Sequence, residues 1–205
     1  GKQGAASSAP TDIQMTYNPD IHHRRSIRLR EYDYSACGAY FVTLCVHGRE
    51  CLLGEITDRE MRLNDAGRMV ESWWRESSNK FPTMEIDSFV VMPNHFHGII
   101  WIRENVDTDT VGAPLCGCPD SEPGRPHRAA TTLGDIIDWF KTMTTNAYIR
   151  GVKESNWPTF PGRFWQRNYY ERIIRHEAEM DAARKYIAEN PMKWAEDKEN
   201  PACIP

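Results

Sequence analysis

Two histidines separated by one residue interrupt an apolar run near the middle of the chain. The run reads VVMPNHFHGIIWI over residues 90–102 and contains His95 and His97. Side chains alternate between faces along a β-strand, so these imidazoles share one side while Phe96 points to the other. Two imidazoles on one face can chelate a metal ion together, and Gly98 beside them could let a ligand approach. A short HxH motif also occurs on polar faces of edge strands, so the metal interpretation needs support from elsewhere.

The segment RKYIAENP, residues 184–191, contains further polar side chains that could act together with a metal ion bound by the two histidines. On a helix, Tyr186 and Asn190 are four residues apart and lie one above the other on one face. The Asn190 oxygen can complete a two-imidazole metal site, and the phenol one turn away can reach a group that the metal polarises. Taken alone, each residue has a plainer interpretation, as a half-buried core tyrosine and as an asparagine at a helix end before proline.

The charge of the chain is distributed unevenly. A formal net charge of −4 argues against a generally basic nucleic-acid-binding protein. Locally, however, HHRRSIRLR (22–30) carries four arginines and no acid, and RFWQRNYYERIIR (163–175) carries four more among aromatic rings. Basic stretches interleaved with aromatic residues suit a phosphate backbone with stackable bases. A solvated arginine-rich surface is the alternative for either stretch.

The order of predicted elements indicates a fold class. Apolar and β-branched runs predict strands, and spacings of three and four predict helices. The predicted elements are a strand at 39–46, a helix at 63–80, a hairpin of 84–92 and 95–102 around Pro93 and Asn94, a helix at 133–149, a strand at 168–175 and a helix at 177–190. We therefore expect an α+β fold, a ferredoxin-like or RRM-like sandwich with helices packed on one antiparallel sheet.

The length of 205 residues suits a single domain with appendages. We expect residues 1–14 to be a vector remnant or disordered, 15–37 to form a basic N-terminal arm and 195–205 a C-terminal tail. The main domain then spans 38–194, with a flexible insertion at 104–131 that is rich in Pro, Gly, Asp and Thr. The sequence shows no membrane-spanning run and no apolar leader, and its six cysteines form no zinc motif. These features favour an intracellular protein.

Three motifs together resemble a known family. MPNHFHG, RFWQRNYYERIIR and YIAENP are similar, in order and spacing, to the single-tyrosine HUH transposases, and most closely to the REP-associated tyrosine transposases. The resemblance runs from about Arg24 to Trp194. It implies that His95 and His97 are metal ligands, that Tyr186 is the nucleophile and that Asn190 is the third ligand. Related insertion-sequence transposases commonly carry glutamine at this last position.

The resemblance also implies an activity. The expected protein is a metal-dependent endonuclease and strand transferase that cleaves single-stranded DNA at hairpin-bearing repetitive extragenic palindromes through a 5′-phosphotyrosine intermediate. The resemblance further implies that the cofactor is Mg²⁺ or Mn²⁺ and that the protein is a monomer or homodimer. It also implies that the protein lies at the nucleoid in the bacterial cytoplasm. A non-cleaving single-stranded nucleic-acid-binding module of domesticated transposase origin is the alternative. A phosphoesterase with paired HxT or HxH motifs would need a second motif, which the sequence lacks.

Candidate DNA contacts complete the interpretation. We expect them at Arg24, Arg25, Arg28, Arg30, Arg163, Gln166 and Arg167. Trp165 between them can stack on a base, but an indole near a strand is more often buried, and we favour a core position. Tyr169 and Tyr170 are the other phenols that could replace Tyr186 as nucleophile.

Overall fold

The computed structural model describes residues 37–103 and 131–203. The expectations for residues 1–36, for 104–130 and for the last two residues lie outside this part of the chain. The four arginines of the predicted basic arm, Arg24, Arg25, Arg28 and Arg30, are among them.

The described residues form a four-stranded antiparallel sheet, a separate hairpin and three α-helices. The strands are β1 (Gly38–Cys45), β2 (Gly54–Thr57), β3 (Glu60–Leu63), β4 (Met84–Val91), β5 (His95–Ile102) and β6 (Tyr170–Ile174). The helices are α1 (Asp65–Lys80), α2 (Leu133–Glu154) and α3 (Glu177–Glu189). The main sheet has the order β4-β5-β1-β6, and β2 pairs with β3. The predicted α+β fold with one antiparallel sheet under helices is confirmed.

Helices cover both faces of the main sheet. On one face, alternate residues of β1 and β5 pack with α1 and α2 around Trp74, Phe96 and Phe140. On the other face, Phe41 and Ile99 pack with residues of α3 in a smaller apolar cluster. Because His95 and His97 share the parity of Ile99 along β5, the side chains of both histidines lie on the α3 side.

Local sequence signals explain where the helices begin. Asn64 caps α1 by accepting a hydrogen bond from the backbone N–H of Gly67. Thr132 and Asp135 form a reciprocal capping box at the start of α2. Helix α2 continues to Glu154, five residues past the predicted end at 149. In this last stretch Gly151 is buried against Trp157, where a Cβ would lie 2.3 Å from the indole ring.

The β2–β3 hairpin was not predicted from the sequence. Each strand has only four residues, and charged residues break any apolar run in GEIT and EMRL. Asp58 and Arg59 turn the chain with positive φ angles of 54° and 66°, the geometry of a tight hairpin turn. The sequence of this turn, Asp-Arg, differs from the Asn-Gly or Asp-Gly pair that usually indicates a two-residue hairpin turn.

Two expectations about single residues have clear outcomes. Trp165 is buried in the main core, as favoured, and its indole N–H donates to the Thr144 hydroxyl at 2.8 Å. The expectation that Gly98 leaves room for a ligand is wrong. A Cβ at Gly98 would lie 2.7 Å from the Trp74 ring, so the missing side chain admits this core tryptophan instead.

None of the helices in the described ranges is both long and apolar enough to span a membrane.

Candidate active site

The two histidines lie at the start of β5, beside the central strand β1. His95 pairs with Cys45 and His97 pairs with Thr43 in the antiparallel register, so these four side chains face α3 together. The imidazole rings of His95 and His97 are 4.7 Å apart between centroids. Both rings are buried, although His95 is the first residue of β5 and directly follows the bend between β4 and β5. The structure therefore brings the two imidazoles together as the HxH spacing predicts.

The partners of the Nδ1 atoms fix the orientation of each ring. Nδ1 of His95 lies 3.0 Å from Oδ1 of Asn94, and Nδ1 of His97 lies 2.8 Å from the Thr43 hydroxyl. Asn94 donates its amide hydrogens to the backbone carbonyls of Arg49 and Glu199, so its oxygen is the atom that faces His95. An amide oxygen can only accept, so His95 carries its proton on Nδ1 and presents a free lone pair on Nε2. This is the tautomer that a metal ligand needs.

Helix α3 positions the candidate nucleophile over this face. The Tyr186 hydroxyl lies 3.4 Å from Nε2 of His97, and the two rings meet edge to face at 5.1 Å between centroids. Phe41 supports both rings, at 5.4 Å from His97 and 5.9 Å from Tyr186. Tyr186 is still 42% exposed. The phenol therefore contacts the histidine pair and remains open to a substrate from solvent.

Asn190 ends helix α3 as its C-cap and is only 2% exposed. Its Oδ1 has no hydrogen-bond partner among the described residues, and the same holds for Nε2 of His95. A buried polar atom without a partner costs about 1–3 kcal/mol, so two of them in one site need an explanation. A shared cation would satisfy both atoms. This observation shows that His95 and Asn190 fit a metal ion.

A segment that the sequence interpretation assigns to the tail also reaches the site. After a 3-10 helix at Pro191–Glu196, the chain passes His95 with Asp197 and Glu199. Oδ2 of Asp197 lies 3.9 Å from Nε2 of His95. Oε2 of Glu199 lies 2.9 Å from the Arg49 guanidinium. The site thus contains two carboxylates that sequence reasoning did not identify.

Burial and neighbouring charges set the protonation of these groups. Burial lowers the pKa of His97 well below 6.5, and the adjacent His95 lowers it further. Burial also lowers the pKa of His95, although the Asp197 and Glu199 carboxylates oppose the change. Both imidazoles are therefore neutral at physiological pH, the form that binds metals.

The pKa of the Tyr186 phenol is shifted upwards, in the opposite direction to the pKa values of the two histidines. Burial raises the pKa of Tyr186, the negative charge of Asp197 raises it further, and an interaction with the Asn190 side chain opposes the rise. Without additional positive charge, the Tyr186 hydroxyl is therefore a poor nucleophile at neutral pH.

A cleft of about 510 Å³ opens over the site. Its walls come from β1, β6, α3 and the segment after Trp194, and they include His97, Tyr186, Asp197, Tyr169 and Tyr170. Tyr170 is 50% exposed. The cleft therefore offers an aromatic wall beside the phenol, which suits a flat ring such as a nucleobase.

The candidate DNA contacts within the described residues lie beside this cleft. Gln166 lines both the cleft and a second groove of about 700 Å³, and exposed Arg163 and Arg167 line that groove together with α2. Lys141 holds the segment in place by donating to the backbone carbonyls of Gln166 and Arg167. The three predicted contacts thus line one groove, and Gln166 connects it to the cleft that contains Tyr186.

In the described ranges, no group of three or more His, Cys, Asp or Glu side chains is arranged to hold a metal ion. His95, His97 and Asn190 are not such a group because the third side chain is an amide, and Asp197 does not complete one with the two histidines in the observed arrangement.

The fold of the chain is that of a known solved structure. A REP-associated tyrosine transposase bound to a REP hairpin matches with a TM-score of 0.53 and 20% sequence identity, covering 82% of this chain and 74% of that chain. At this identity the likeness establishes the fold alone.

A relative with higher sequence identity shows the family of the chain. An uncharacterized protein of Haemophilus influenzae is 41% identical over 182 residues, which cover 89% of this chain and 96% of that protein. The chain belongs to the same family as this Haemophilus influenzae protein. No family model matches the sequence.

Sequence reasoning missed the residues that support the site. Thr43 follows an apolar run and Asn94 occupies a predicted turn, so neither position stands out by type or spacing. Asp197 and Glu199 lie in a stretch that mixes acids and lysines and looks like a solvated end. Only the antiparallel register and the return of the chain over His95 place these four residues at the site.

Proposed function

We propose that this protein is a transposase-like DNA nuclease and strand transferase that uses Tyr186 as nucleophile beside a divalent metal ion. The observation that supports this most directly is the contact between the Tyr186 hydroxyl and Nε2 of His97, 3.4 Å apart at the floor of an open cleft. A core tyrosine would be buried, whereas Tyr186 is 42% exposed. The proposed metal is Mg²⁺ or Mn²⁺.

The metal would be held by His95, His97 and Asn190. Within the part of the chain that the structure describes, Nε2 of His95 and Oδ1 of Asn190 are buried without a hydrogen-bond partner. The lowered pKa values of both histidines keep the imidazoles neutral. When bound, a divalent cation supplies positive charge that offsets the negative charge on a phosphate oxygen and on the phenol.

In the proposed reaction, Tyr186 attacks the phosphodiester and neighbouring side chains orient the reacting groups. The Tyr186 oxygen forms a bond to phosphorus and its proton passes to solvent, while the bond from phosphorus to the 3′ oxygen breaks and this oxygen takes up a proton. The products are a 5′-phosphotyrosine on one DNA segment and a free 3′-hydroxyl on the other, and the reverse attack rejoins strands. Phe41 and His97 orient the phenol, and Asn94 and Thr43 orient the imidazoles.

The proposed substrate is single-stranded DNA with a hairpin of the REP type. The groove lined by Arg163, Gln166 and Arg167 has donors for phosphates, and Tyr170 in the cleft can stack on a base near the scissile bond. The solved transposase with this fold binds a REP hairpin, which supports the same substrate class here.

The test is covalent capture. The protein is incubated with hairpin-bearing single-stranded DNA and Mn²⁺, and the adduct is detected as a slower band on a denaturing gel. We expect an adduct with the wild type and with Tyr170→Phe, and none with Tyr186→Phe. Tight binding without an adduct in the wild type would instead establish a non-cleaving binding module. An adduct that persists in Tyr186→Phe would move the nucleophile to another phenol.

A further inference from the structure

Asp197 has a carboxylate that is mostly shielded from solvent at the proposed metal site. Its side chain is 10% exposed, and Oδ1 accepts a hydrogen bond from the backbone N–H of Glu199 at 2.7 Å. This bond holds the carboxylate with Oδ2 towards His95, 3.9 Å from Nε2. Nε2 is the buried nitrogen that lacks a hydrogen-bond partner within the described ranges. The carboxylate and the free lone pair therefore face the same space.

Among the described residues, no Lys or Arg side chain forms an ion pair with the Asp197 carboxylate. Glu199, the other acid of the segment, has Arg49 at 2.9 Å. For Asp197, the sole ion-pair neighbour within 4.0 Å in the part of the chain that is described is His95, whose imidazole is kept neutral by burial. A buried unpaired carboxylate is costly, and next to a phosphodiester it would also repel the substrate. A cation in the same space removes both problems.

We propose that Asp197 is an additional ligand of the metal ion, which then binds two imidazoles, one amide oxygen and one carboxylate. This proposal rests on the proposed function and deepens it. Two ligand atoms about 2.1 Å from one ion and at right angles to it lie about 3.0 Å apart. A shift of Asp197 Oδ2 by about 1 Å therefore brings it within reach of an ion bound to His95. A carboxylate also favours Mn²⁺ or Mg²⁺, since these ions prefer oxygen ligands.

The first test measures metal binding without DNA. Mn²⁺ is titrated into the full chain and free Mn²⁺ is followed by electron paramagnetic resonance. Asp197→Asn retains the acceptor for the Glu199 N–H, so its melting temperature is expected to match that of the wild type. We expect its Kd for Mn²⁺ to rise at least about tenfold, while Glu196→Gln, which removes an exposed acid from the same segment, leaves Kd unchanged. Wild-type affinity in Asp197→Asn overturns the proposal.

A second variant separates direct ligation from long-range attraction. Asp197→Cys places a thiolate at the same position, and a thiolate that binds Cd²⁺ directly gives an ultraviolet charge-transfer band. We expect this band to exceed that of the wild type, whose Cys45 lies nearby but has its pKa raised to about 12 by burial and by Glu199. Asp197→Ser is the matched control without a thiol. No additional band in Asp197→Cys overturns direct ligation.

The two proposals fail in different ways. One outcome is that the wild type binds Mn²⁺ and forms the covalent adduct while Asp197→Asn binds Mn²⁺ equally well. In that case the proposed nuclease function is supported, and the proposal that Asp197 is a metal ligand is wrong. If the wild type binds no Mn²⁺, both proposals are wrong. If Asp197→Asn loses Mn²⁺ binding and Asp197→Cys gives the additional Cd²⁺ band, Asp197 is a ligand, whether or not the wild type cleaves the chosen DNA.

Discussion

At the scale of single residues, the site depends on side chains that hold the histidines. The Thr43 hydroxyl lies 2.8 Å from Nδ1 of His97 and keeps Nε2 of that ring directed towards Tyr186. Asn94 is fully buried, and its Oδ1 holds Nδ1 of His95 and so fixes the orientation of that ring. Such outer partners contribute strongly to metal affinity because they fix both the tautomer and the direction of the ligand lone pair.

Thr43→Val tests this directly. Valine preserves the shape of threonine and removes the hydroxyl, so the His97 ring loses its partner on Nδ1. We expect the Kd for Mn²⁺ to rise about 10- to 100-fold. Thr57→Val, on strand β2, is the control and is expected to bind Mn²⁺ like the wild type. Unchanged Mn²⁺ affinity in a folded Thr43→Val protein would show that His97 is not a ligand held by Thr43.

At the scale of elements, an ion pair connects α3 to the sheet and so positions Tyr186. Arg184 on α3 donates from Nε and Nη2 to the two Asp87 carboxylate oxygens of β4, at 2.9 and 2.6 Å. This bidentate contact lowers the pKa of Asp87 below its ordinary value of 3.8. A lowered pKa in the folded state stabilises the fold above the unfolded pKa, and the contribution is lost as the pH falls through the folded pKa.

Asp87→Asn is therefore expected to lower the melting temperature by a few degrees at pH 7. The difference from the wild type should narrow as the pH falls from 3.8 through the lowered pKa of folded Asp87, below which the wild-type carboxylate is protonated as well. Melting curves over this pH series provide the measurement. The control is Glu85→Gln, also on β4, which removes an exposed ion pair with Arg103. A constant difference at all pH values would show that the Asp87 charge does not stabilise α3 docking.

The elements themselves were largely predictable from the sequence, and parts of the site were not. Apolar periodicity located β1, β4, β5 and all three helices because long runs bury one face. The β2–β3 hairpin has no such run. The HxH spacing predicted that His95 and His97 share a face, since strand parity is a local property. Asp197 joins them only through the path of the chain after Trp194, which no local pattern encodes.

At the scale of the whole molecule, the proposed function requires a chain with net charge −4 to attract DNA. Exposed Arg163 and Arg167 lie along one groove, and Gln166 lines both this groove and the cleft that contains Tyr186, so these two arginines place positive charge beside the cleft. Local positive charge of this kind steers a nucleic acid even when the net charge opposes binding.

Arg163→Gln and Arg167→Gln test this distribution of charge. Each is expected to weaken binding of hairpin DNA regardless of its sequence and to reduce the slope of log affinity against log salt by about 0.7–0.9. Arg62→Gln, an exposed arginine on the β2–β3 hairpin, should leave the slope unchanged. Fluorescence anisotropy over a range of salt concentrations gives the slopes. Equal slopes in all three variants would place the DNA on a different surface.

The most direct test of the central claim is the polarity and position of the covalent bond. Hairpin-bearing single-stranded DNA is labelled at either its 5′ or its 3′ end, incubated with the protein and Mn²⁺, and the adduct is digested and sequenced by mass spectrometry. We predict that the 3′ label stays with the protein, that the 5′ label leaves on a fragment with a free 3′-hydroxyl, and that the modified peptide contains Tyr186. Retention of the 5′ label, or a modified residue other than Tyr186, would contradict the proposed mechanism.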